Sequence, residues 1–228
     1  MRRRILCPFH EERTPSLIIY EHSFVCFGCG RRGKLSDLGL TDTAEYRSPP
    51  PENLDKSASY ILSLPQKLLR GLWLPSDDTG YYIVFPGTKY YKKRLYKGKV
   101  KYLSPEGHSK PLFVARDIGQ TLIIVEGEIN AISIARVCPD YAVCSPGGTG
   151  HFKRESYLNF YLKFDNILIV CDKDVPGAVA CGELWGLLKA RGKEARTLLM
   201  DRDANDLLVQ DGEEAVKEVF RRCLENSI

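Results

Sequence analysis

Acidic side chains stand at the ends of three apolar, β-forming runs in the second half of the chain. The runs span residues 121–125, 166–171 and 195–200. The acidic residues are Glu126, Asp172, Asp174 and Asp203. Helical spacing follows each run, and this alternation predicts a parallel sheet whose strands all end at one edge. We therefore expect the carboxylates to converge there, where a hard divalent cation such as Mg²⁺ would offset their repulsion.

Helix capping is the alternative explanation for any one of these residues, because Asp before a helix is more often a cap than a metal ligand. It applies most directly to Asp174, which precedes Pro176 at a predicted helix start. Three acidic strand ends in one sheet are harder to explain as three caps. This pattern favours a metal site.

A second set of residues, near the N-terminus, has the types and spacing of a zinc site. Cys7-Pro-Phe-His10 is separated by fifteen residues from Cys26-Phe-Gly-Cys29, which gives three thiolates and one imidazole. Zinc prefers this soft tetrahedral ligand set, so we predict one structural zinc. Strand-like runs at 17–20 and 23–26 make the module a zinc ribbon. The other five of the eight cysteines lie in apolar segments and are predicted to be buried thiols.

The middle of the chain is strongly basic, with nine Lys and Arg against one Glu in residues 86–116. Strand-like runs at 81–85, 89–96 and 100–103 predict a small antiparallel sheet. Its cations alternate with tyrosines, among them Tyr90, Tyr91 and Tyr96, which suits single-stranded nucleic acid because bases stack on rings and phosphates pair with cations. A sheet edge protected by lysines is the alternative. The predicted binding residues are Lys89, Lys92, Lys93, Arg94, Lys97, Lys99, Lys101 and Tyr102.

Length and composition set the predicted organisation. The 228 residues, 43% of them hydrophobic, allow one ordinary domain plus smaller modules. We predict a zinc ribbon at 1–46, ending in a short helix, a proline-rich linker at 47–56, a basic β subdomain at 57–116 and a metal-binding catalytic domain at 117–228. No apolar run of eighteen residues and no apolar signal region occur, so we expect a soluble, cytoplasmic protein that does not bind membranes.

Three stretches resemble parts of DnaG-type primases. Glu126-Gly-Glu128, Asp172-x-Asp174-x-x-Gly177 and Asp203-Ala-Asn205-Asp206 resemble the Toprim domain that primases share with topoisomerases and some nucleases. The stretch from Cys7 to Cys29 resembles the primase zinc module, and residues 94–104 resemble the basic subdomain that precedes Toprim in primases. The chain is identified as a member of the DnaG-type primases, of the small phage or mobile-element kind. The resemblance implies a Toprim-type open parallel sheet with flanking helices.

The same resemblance implies an activity and a role for each site residue. A primase makes short RNA primers on single-stranded DNA from nucleoside triphosphates. Mg²⁺ or Mn²⁺ at Asp172, Asp174 and Asp203 would bind the triphosphate, and Glu126 would assist deprotonation of the attacking 3′-hydroxyl. Relatives carry Asp four residues after this glutamate, so Asn130 is expected to be a weaker metal ligand. No Gly-x-x-x-x-Gly-Lys-Ser/Thr sequence occurs, so a separate helicase partner is expected.

Two other functions remain open. A Toprim nuclease would use the same carboxylates to activate water, although the basic sheet and the zinc ribbon argue against it. A catalytically weak accessory protein that binds single-stranded nucleic acid is the other, and Asn130 in place of an acid is its best support. Primer synthesis, DNA degradation or neither would separate the three.

Overall fold

The protein is described by a computed structural model of the chain. The structure describes residues 3–5, 7, 9–10, 12, 14–19, 23–34, 60–105 and 107–225. The chain forms two compact units. One comprises Met1–Gln66, Pro75–Val84 and Lys89–Ser109, and the other comprises Lys67–Leu74, Phe85–Thr88 and Lys110–Ile228. The predicted helix at 35–46 and the predicted linker at 47–56 lie outside the described residues.

The N-terminal module is a four-stranded antiparallel sheet in the order β1-β2-β3-β4. Its strands are Arg3–Ile5, Leu17–Ile19, Ser23–Cys26 and Arg32–Lys34. The two strands between the cysteine pairs confirm the predicted ribbon. The outer strands were not predicted, because the basic triplets Arg-Arg-Ile and Arg-Gly-Lys show no alternation of apolar and polar residues. Leu17 and Phe24 form a small core with Cys7 and Cys26.

A two-stranded hairpin follows the helical residues 60–63. Its strands are β5 (Gln66–Leu69) and β6 (Leu72–Pro75), joined by the two-residue turn Arg70-Gly71. Both turn residues have positive φ, +51° and +74°, as a type I′ turn requires. This hairpin was not predicted, because Arg-Gly is not one of the usual turn pairs for it.

A three-stranded antiparallel sheet carries the basic segment, in the order β7-β8-β9. The strands are Gly80–Val84, Tyr91–Leu95 and Tyr102–Leu103, which confirms the three predicted runs. Tyr82 and Tyr91 are buried in a cluster with Ile61. The register places Lys93 opposite Tyr82.

The second unit is built on a five-stranded sheet in the order β10-β12-β11-β13-β14. Its strands are β10 (Phe113–Arg116), β11 (Thr121–Val125), β12 (Ala142–Ser145), β13 (Asn166–Asp172) and β14 (Glu194–Met200). The helices are α1 (Glu128–Val137), α2 (Glu155–Tyr161), α3 (Val175–Lys189), α4 (Ala204–Asp211) and α5 (Glu213–Glu225), with a short 3₁₀ helix at Thr149–His151. Four strands are parallel, and β10 adds an antiparallel edge. The predicted parallel α/β fold is confirmed, and the antiparallel edge strand β10 was not foreseen.

Apolar residues are buried on both faces of this sheet, as is usual for parallel strands covered by helices. Leu122 and Ile124 pack in one cluster with residues of α2 and α3, and the alternate residues Ile123 and Val125 are also buried. Four of the five cysteines outside the ribbon are buried, as predicted, and Cys223 is partly buried. Among the described residues, no helix is long and apolar enough to span a membrane.

Trp185 in α3 does not lie in the core, although its helical spacing with Leu184 and Leu188 predicts that it would. Its side chain is exposed (42%), whereas its neighbours Leu184 and Leu188 are completely buried. The indole Nε1–H donates a hydrogen bond of 2.9 Å to the carbonyl oxygen of Ala195 in β14. Trp185 therefore lies along the edge strand instead of inside the core.

Candidate active site

Glu126 lies in the turn between β11 and α1, where the glycine-rich loop after β12 binds its backbone. The carbonyl oxygen of Glu126 accepts hydrogen bonds from Ser145 Oγ (2.9 Å) and from the Gly148 N–H (3.0 Å). Gly147 and Gly148 have φ of +71° and +131°, which residues with a side chain rarely adopt. The loop is a tight turn at the end of β12, and it holds the end of the Glu126 strand in place.

Asp174 and Asp203 both cap helices. Asp174 Oδ1 accepts a hydrogen bond from the Gly177 N–H (2.6 Å) at the start of α3, and Asp203 Oδ1 accepts one from the Asp206 N–H (2.7 Å) at the start of α4. The capping alternative therefore holds for Asp174, and it extends to Asp203. Gly177 is required for close packing, since a Cβ there would lie 2.3 Å from the carbonyl oxygen of Asp172.

Burial and negative charge at this edge of the sheet raise the pKa of Glu126 and of Asp172. Burial raises the pKa of Glu126, and the negative charges of Asp172 and Asp174 raise it further. Burial also raises the pKa of Asp172, with added repulsion from Asp203 and Asp174. The parallel strands β11, β13 and β14 bring these residues to one edge of the sheet, as predicted, and the metal site itself remains a prediction. Oxygen ligands that repel one another at a partly buried edge fit a hard divalent cation.

The oxygen atoms of these carboxylates are less closely grouped than the ligand atoms of the predicted zinc site. Among the described residues, one group of Cys, His, Asp or Glu side chains has its possible ligand atoms close together. It is the N-terminal set of Cys7, His10, Cys26 and Cys29. Two of the acids have an oxygen committed to capping a helix.

Asn130, the predicted weaker ligand, is buried and joins two helices. Its Oδ1 accepts a hydrogen bond of 3.1 Å from the backbone N–H of Asn205 at the start of α4. Asn205 is itself completely buried. Asn130 therefore connects α1 to α4 in this structure, and metal binding by its oxygen remains a prediction.

Lys110 and Glu128 form an ion pair that was not predicted. The two charged atoms lie 2.9 Å apart, and Lys110 Nζ also donates to the carbonyl oxygen of Gly147 at 3.0 Å. The side chains are only 14% and 5% exposed. A Cβ at position 147 would lie 1.7 Å from Lys110 Nζ, so the glycine is needed for this approach. The sequence signal for this ion pair was Glu128 itself, which stands two residues after Glu126 in the acidic motif.

The zinc-site residues come together as predicted. The ligand atoms of Cys7, His10, Cys26 and Cys29 all lie within 4.8 Å of one another. His10 Nδ1 is 3.9 Å from Cys26 Sγ, and His10 Nε2 is 3.1 Å from Glu12 Oε2. The residues therefore fit a tetrahedral zinc, with Nδ1 as the ligand nitrogen and Glu12 orienting the ring.

Glu12 also holds the backbone of this loop. Its Oε1 accepts hydrogen bonds from the N–H groups of Cys7 (2.7 Å) and Ser16 (3.0 Å). Burial raises the pKa of the Cys26 thiol, but hydrogen bonds from Ser16 and from the Cys29 N–H outweigh it and lower that pKa to about 6. A thiolate that forms readily suits zinc binding.

The structure divides the predicted nucleic-acid residues of the β7–β9 sheet into two groups. Lys93 is 13% exposed and its Nζ lies 2.5 Å from Asp77 Oδ2, which also accepts a hydrogen bond from Tyr82 OH at 2.6 Å. Tyr90 and Tyr91 were predicted to present their rings at the surface, but both side chains are buried. These residues stabilise the sheet.

The second group remains at the surface. Lys92 Nζ and the Arg94 guanidinium lie 4.6 Å and 4.8 Å from the centroid of the Tyr102 ring, and Arg94 Nη1 donates to Tyr102 OH at 2.8 Å. The exposed lysines are Lys89, Lys97, Lys99 and Lys101. Their contact with nucleic acid remains a prediction.

Comparison with known proteins agrees with this architecture. Residues 4–47 match the CHC2 zinc finger family, and residues 121–214 match the Toprim domain family. A DNA primase of Clostridium acetobutylicum is 23% identical over an alignment that covers 98% of this chain and 54% of that protein. The chain thus spans about half the length of this curated relative.

Solved primase structures share the fold. The zinc-binding and RNA polymerase domains of the Aquifex aeolicus primase match with a TM-score of 0.53 and 17% identity, covering 96% of this chain and 78% of that one. A DnaG primase catalytic domain bound to single-stranded DNA matches with a TM-score of 0.51 and 16% identity, covering 79% of this chain and 62% of that one.

The fold and the two sites define a protein that joins a CHC2 zinc ribbon to a Toprim domain. The chain is related to the DnaG-type DNA primases.

Proposed function

We propose that this chain is a DNA primase that synthesises short RNA primers on single-stranded DNA from nucleoside triphosphates. The observation that supports it most is the acidic sheet edge of Glu126, Asp172, Asp174 and Asp203 on the same chain as a zinc ribbon. The related Clostridium protein is a primase, and one structural relative binds single-stranded DNA. We place this activity in the cytoplasm of a bacterial or phage-infected cell.

The three aspartates of this edge would hold Mg²⁺ or Mn²⁺. The ion, when bound, would bind the triphosphate and stabilise the charge that develops during phosphoryl transfer. Glu126 would accept the proton of the attacking 3′-hydroxyl at a carboxylate oxygen. The backbone hydrogen bonds from Ser145 and Gly148 would keep the Glu126 turn in place through this step.

The basic surface of the β7–β9 sheet would hold the template. Lys89, Lys97, Lys99 and Lys101 are exposed there and would pair with phosphates, while the Tyr102 ring would contribute an aromatic face for a base. The zinc ribbon would select the start site, and zinc would stabilise its small core.

The proposal is tested by incubating the zinc-loaded chain with single-stranded DNA, labelled nucleoside triphosphates and Mg²⁺ or Mn²⁺. We expect short labelled products from the wild type and none from Asp172→Asn. Release of nucleotides from labelled DNA without added triphosphates would identify a nuclease. DNA binding without either product would identify an accessory protein.

A further inference from the structure

Arg70 occupies an unfavourable backbone conformation, which directs attention to its side chain. It is the one residue other than glycine with positive φ (+51°) among those the structure describes. Asparagine or glycine adopts this conformation at lower cost and is the usual choice at the first position of a type I′ turn. Backbone strain of this kind concentrates at functional sites.

The Arg70 side chain contacts the start of α4. Nη2 lies 3.4 Å from Asp203 Oδ2 and 3.2 Å from Asp206 Oδ1. Nε donates to Asn205 Oδ1 at 2.9 Å, and Asn205 Nδ2 donates back to the Arg70 carbonyl oxygen at 2.7 Å. The guanidinium is thus fixed by a reciprocal pair of bonds to a buried amide, with one nitrogen directed at Asp203.

Asn205 extends these contacts to the helix that follows Glu126. Its backbone N–H donates to Asn130 Oδ1 (3.1 Å), and its Nδ2 also donates to Ser133 Oγ (3.0 Å). Both partners lie on α1, whereas Asn205 lies on α4, two residues after Asp203. The network therefore fixes the separation between the strand end that carries Glu126 and the one that carries Asp203.

Both oxygens of the Asp203 carboxylate are consequently oriented. Oδ1 accepts the Asp206 N–H and Oδ2 faces Arg70. We infer that Arg70 is a positioning residue, which holds the Asp203 carboxylate in the orientation that a divalent cation requires. This inference rests on the metal site of the proposed function. Loss of a hydrogen-bond partner of a metal-binding carboxylate lowers metal affinity by about 10- to 100-fold.

The chain offers a matched control at the same turn. Arg136 Nη1 donates to the carbonyl oxygen of Gly71 at 2.9 Å, so it also anchors the hairpin. Its carboxylate partner is Glu213, which lies outside the acidic edge. Replacing Arg136 therefore loosens the hairpin without removing a contact to Asp203.

The test measures Mn²⁺ binding to the zinc-loaded full chain without DNA or triphosphates, by the electron paramagnetic resonance signal of free Mn²⁺. The variants are Arg70→Asn, Arg70→Lys and Arg136→Gln, each checked by a circular dichroism melt. Arg70→Asn creates the favoured Asn-Gly turn and so keeps the hairpin folded. Arg70→Lys keeps the charge but loses the fixed fork of donors.

We expect both Arg70 variants to bind Mn²⁺ about tenfold more weakly than the wild type, and Arg136→Gln to bind it with unchanged affinity. Wild-type or tighter binding by Arg70→Asn would overturn the inference, as would equal weakening by Arg136→Gln. A wild type that binds Mn²⁺ but makes no primers would refute the proposed function alone. Active wild type with unaffected Arg70 variants would refute the inference alone.

Discussion

Replacing Lys93 by methionine should destabilise the β7–β9 sheet without weakening nucleic-acid binding. Methionine keeps an apolar stem and removes the ammonium group that lies 2.5 Å from Asp77 Oδ2. Asp77 would retain hydrogen bonds from Tyr82 OH and the Thr79 N–H. The carboxylate would therefore lose its counter-charge but not all of its partners.

The size of the effect follows from the exposure of the pair. Exposed ion pairs contribute about 0–1 kcal/mol, and removing one partner of a fully buried pair costs about 3–5 kcal/mol. Lys93 and Asp77 are 13% and 30% exposed, so we expect a loss of about 2 kcal/mol. For a chain of this length, that corresponds to a melting temperature lower by about 4–8 °C if it unfolds in one transition.

The loss should also depend on pH. Burial raises the pKa of Asp77, but hydrogen bonds from Lys93, Tyr82 and Thr79 outweigh it and hold the pKa well below its ordinary value. Stability from a carboxylate with a lowered pKa is present above the unfolded pKa of about 3.9 and disappears as the pH falls through the folded pKa. Wild type and Lys93→Met should therefore differ most near neutral pH and converge in acid.

Lys92→Met is the matched control on the same strand. We expect it to change the free energy of unfolding by less than about 0.5 kcal/mol. For single-stranded DNA, the plot of log affinity against log salt concentration should become shallower by about 0.7, the value for one phosphate contact. Circular dichroism melts and fluorescence anisotropy at several salt concentrations measure the two quantities. A Lys93→Met protein with wild-type melting and a lower salt slope would refute the structural role of Lys93.

Three further substitutions test the two metal sites. Glu12→Gln should speed zinc loss to a chelator by about tenfold or more, because His10 loses the carboxylate that orients it; an unchanged rate would contradict this. Glu126→Gln should raise the melting temperature at pH 7 without added divalent metal. The reason is that a carboxylate with a raised pKa destabilises the fold as the pH rises through that pKa. The same substitution should abolish primer synthesis. A lower melting temperature would speak against the repulsion. Asn130→Asp keeps the acceptor for the Asn205 N–H and adds a charge, so Mn²⁺ should bind more tightly.

The sequence was sufficient for features that depend on local pattern. Ligand spacing predicted the zinc set, and apolar runs ending in acids predicted the parallel sheet with Glu126 and Asp172 at one edge. Contacts between distant segments could not be predicted in this way, because Arg70 and Asn205 are 135 residues apart and no local pattern links them. The alternation of lysine and tyrosine likewise could not show that Tyr91 faces the core.

The central claim is that the chain makes RNA on a DNA template, and the nature of the labelled product tests it most directly. The zinc-loaded chain would be incubated with single-stranded DNA, labelled ribonucleoside triphosphates and Mg²⁺ or Mn²⁺, with Glu126→Gln in parallel. We predict short products that require the DNA, survive DNase, are destroyed by alkali and are absent from the variant. Products equally abundant with Glu126→Gln, or no product while labelled DNA is degraded, would contradict the account.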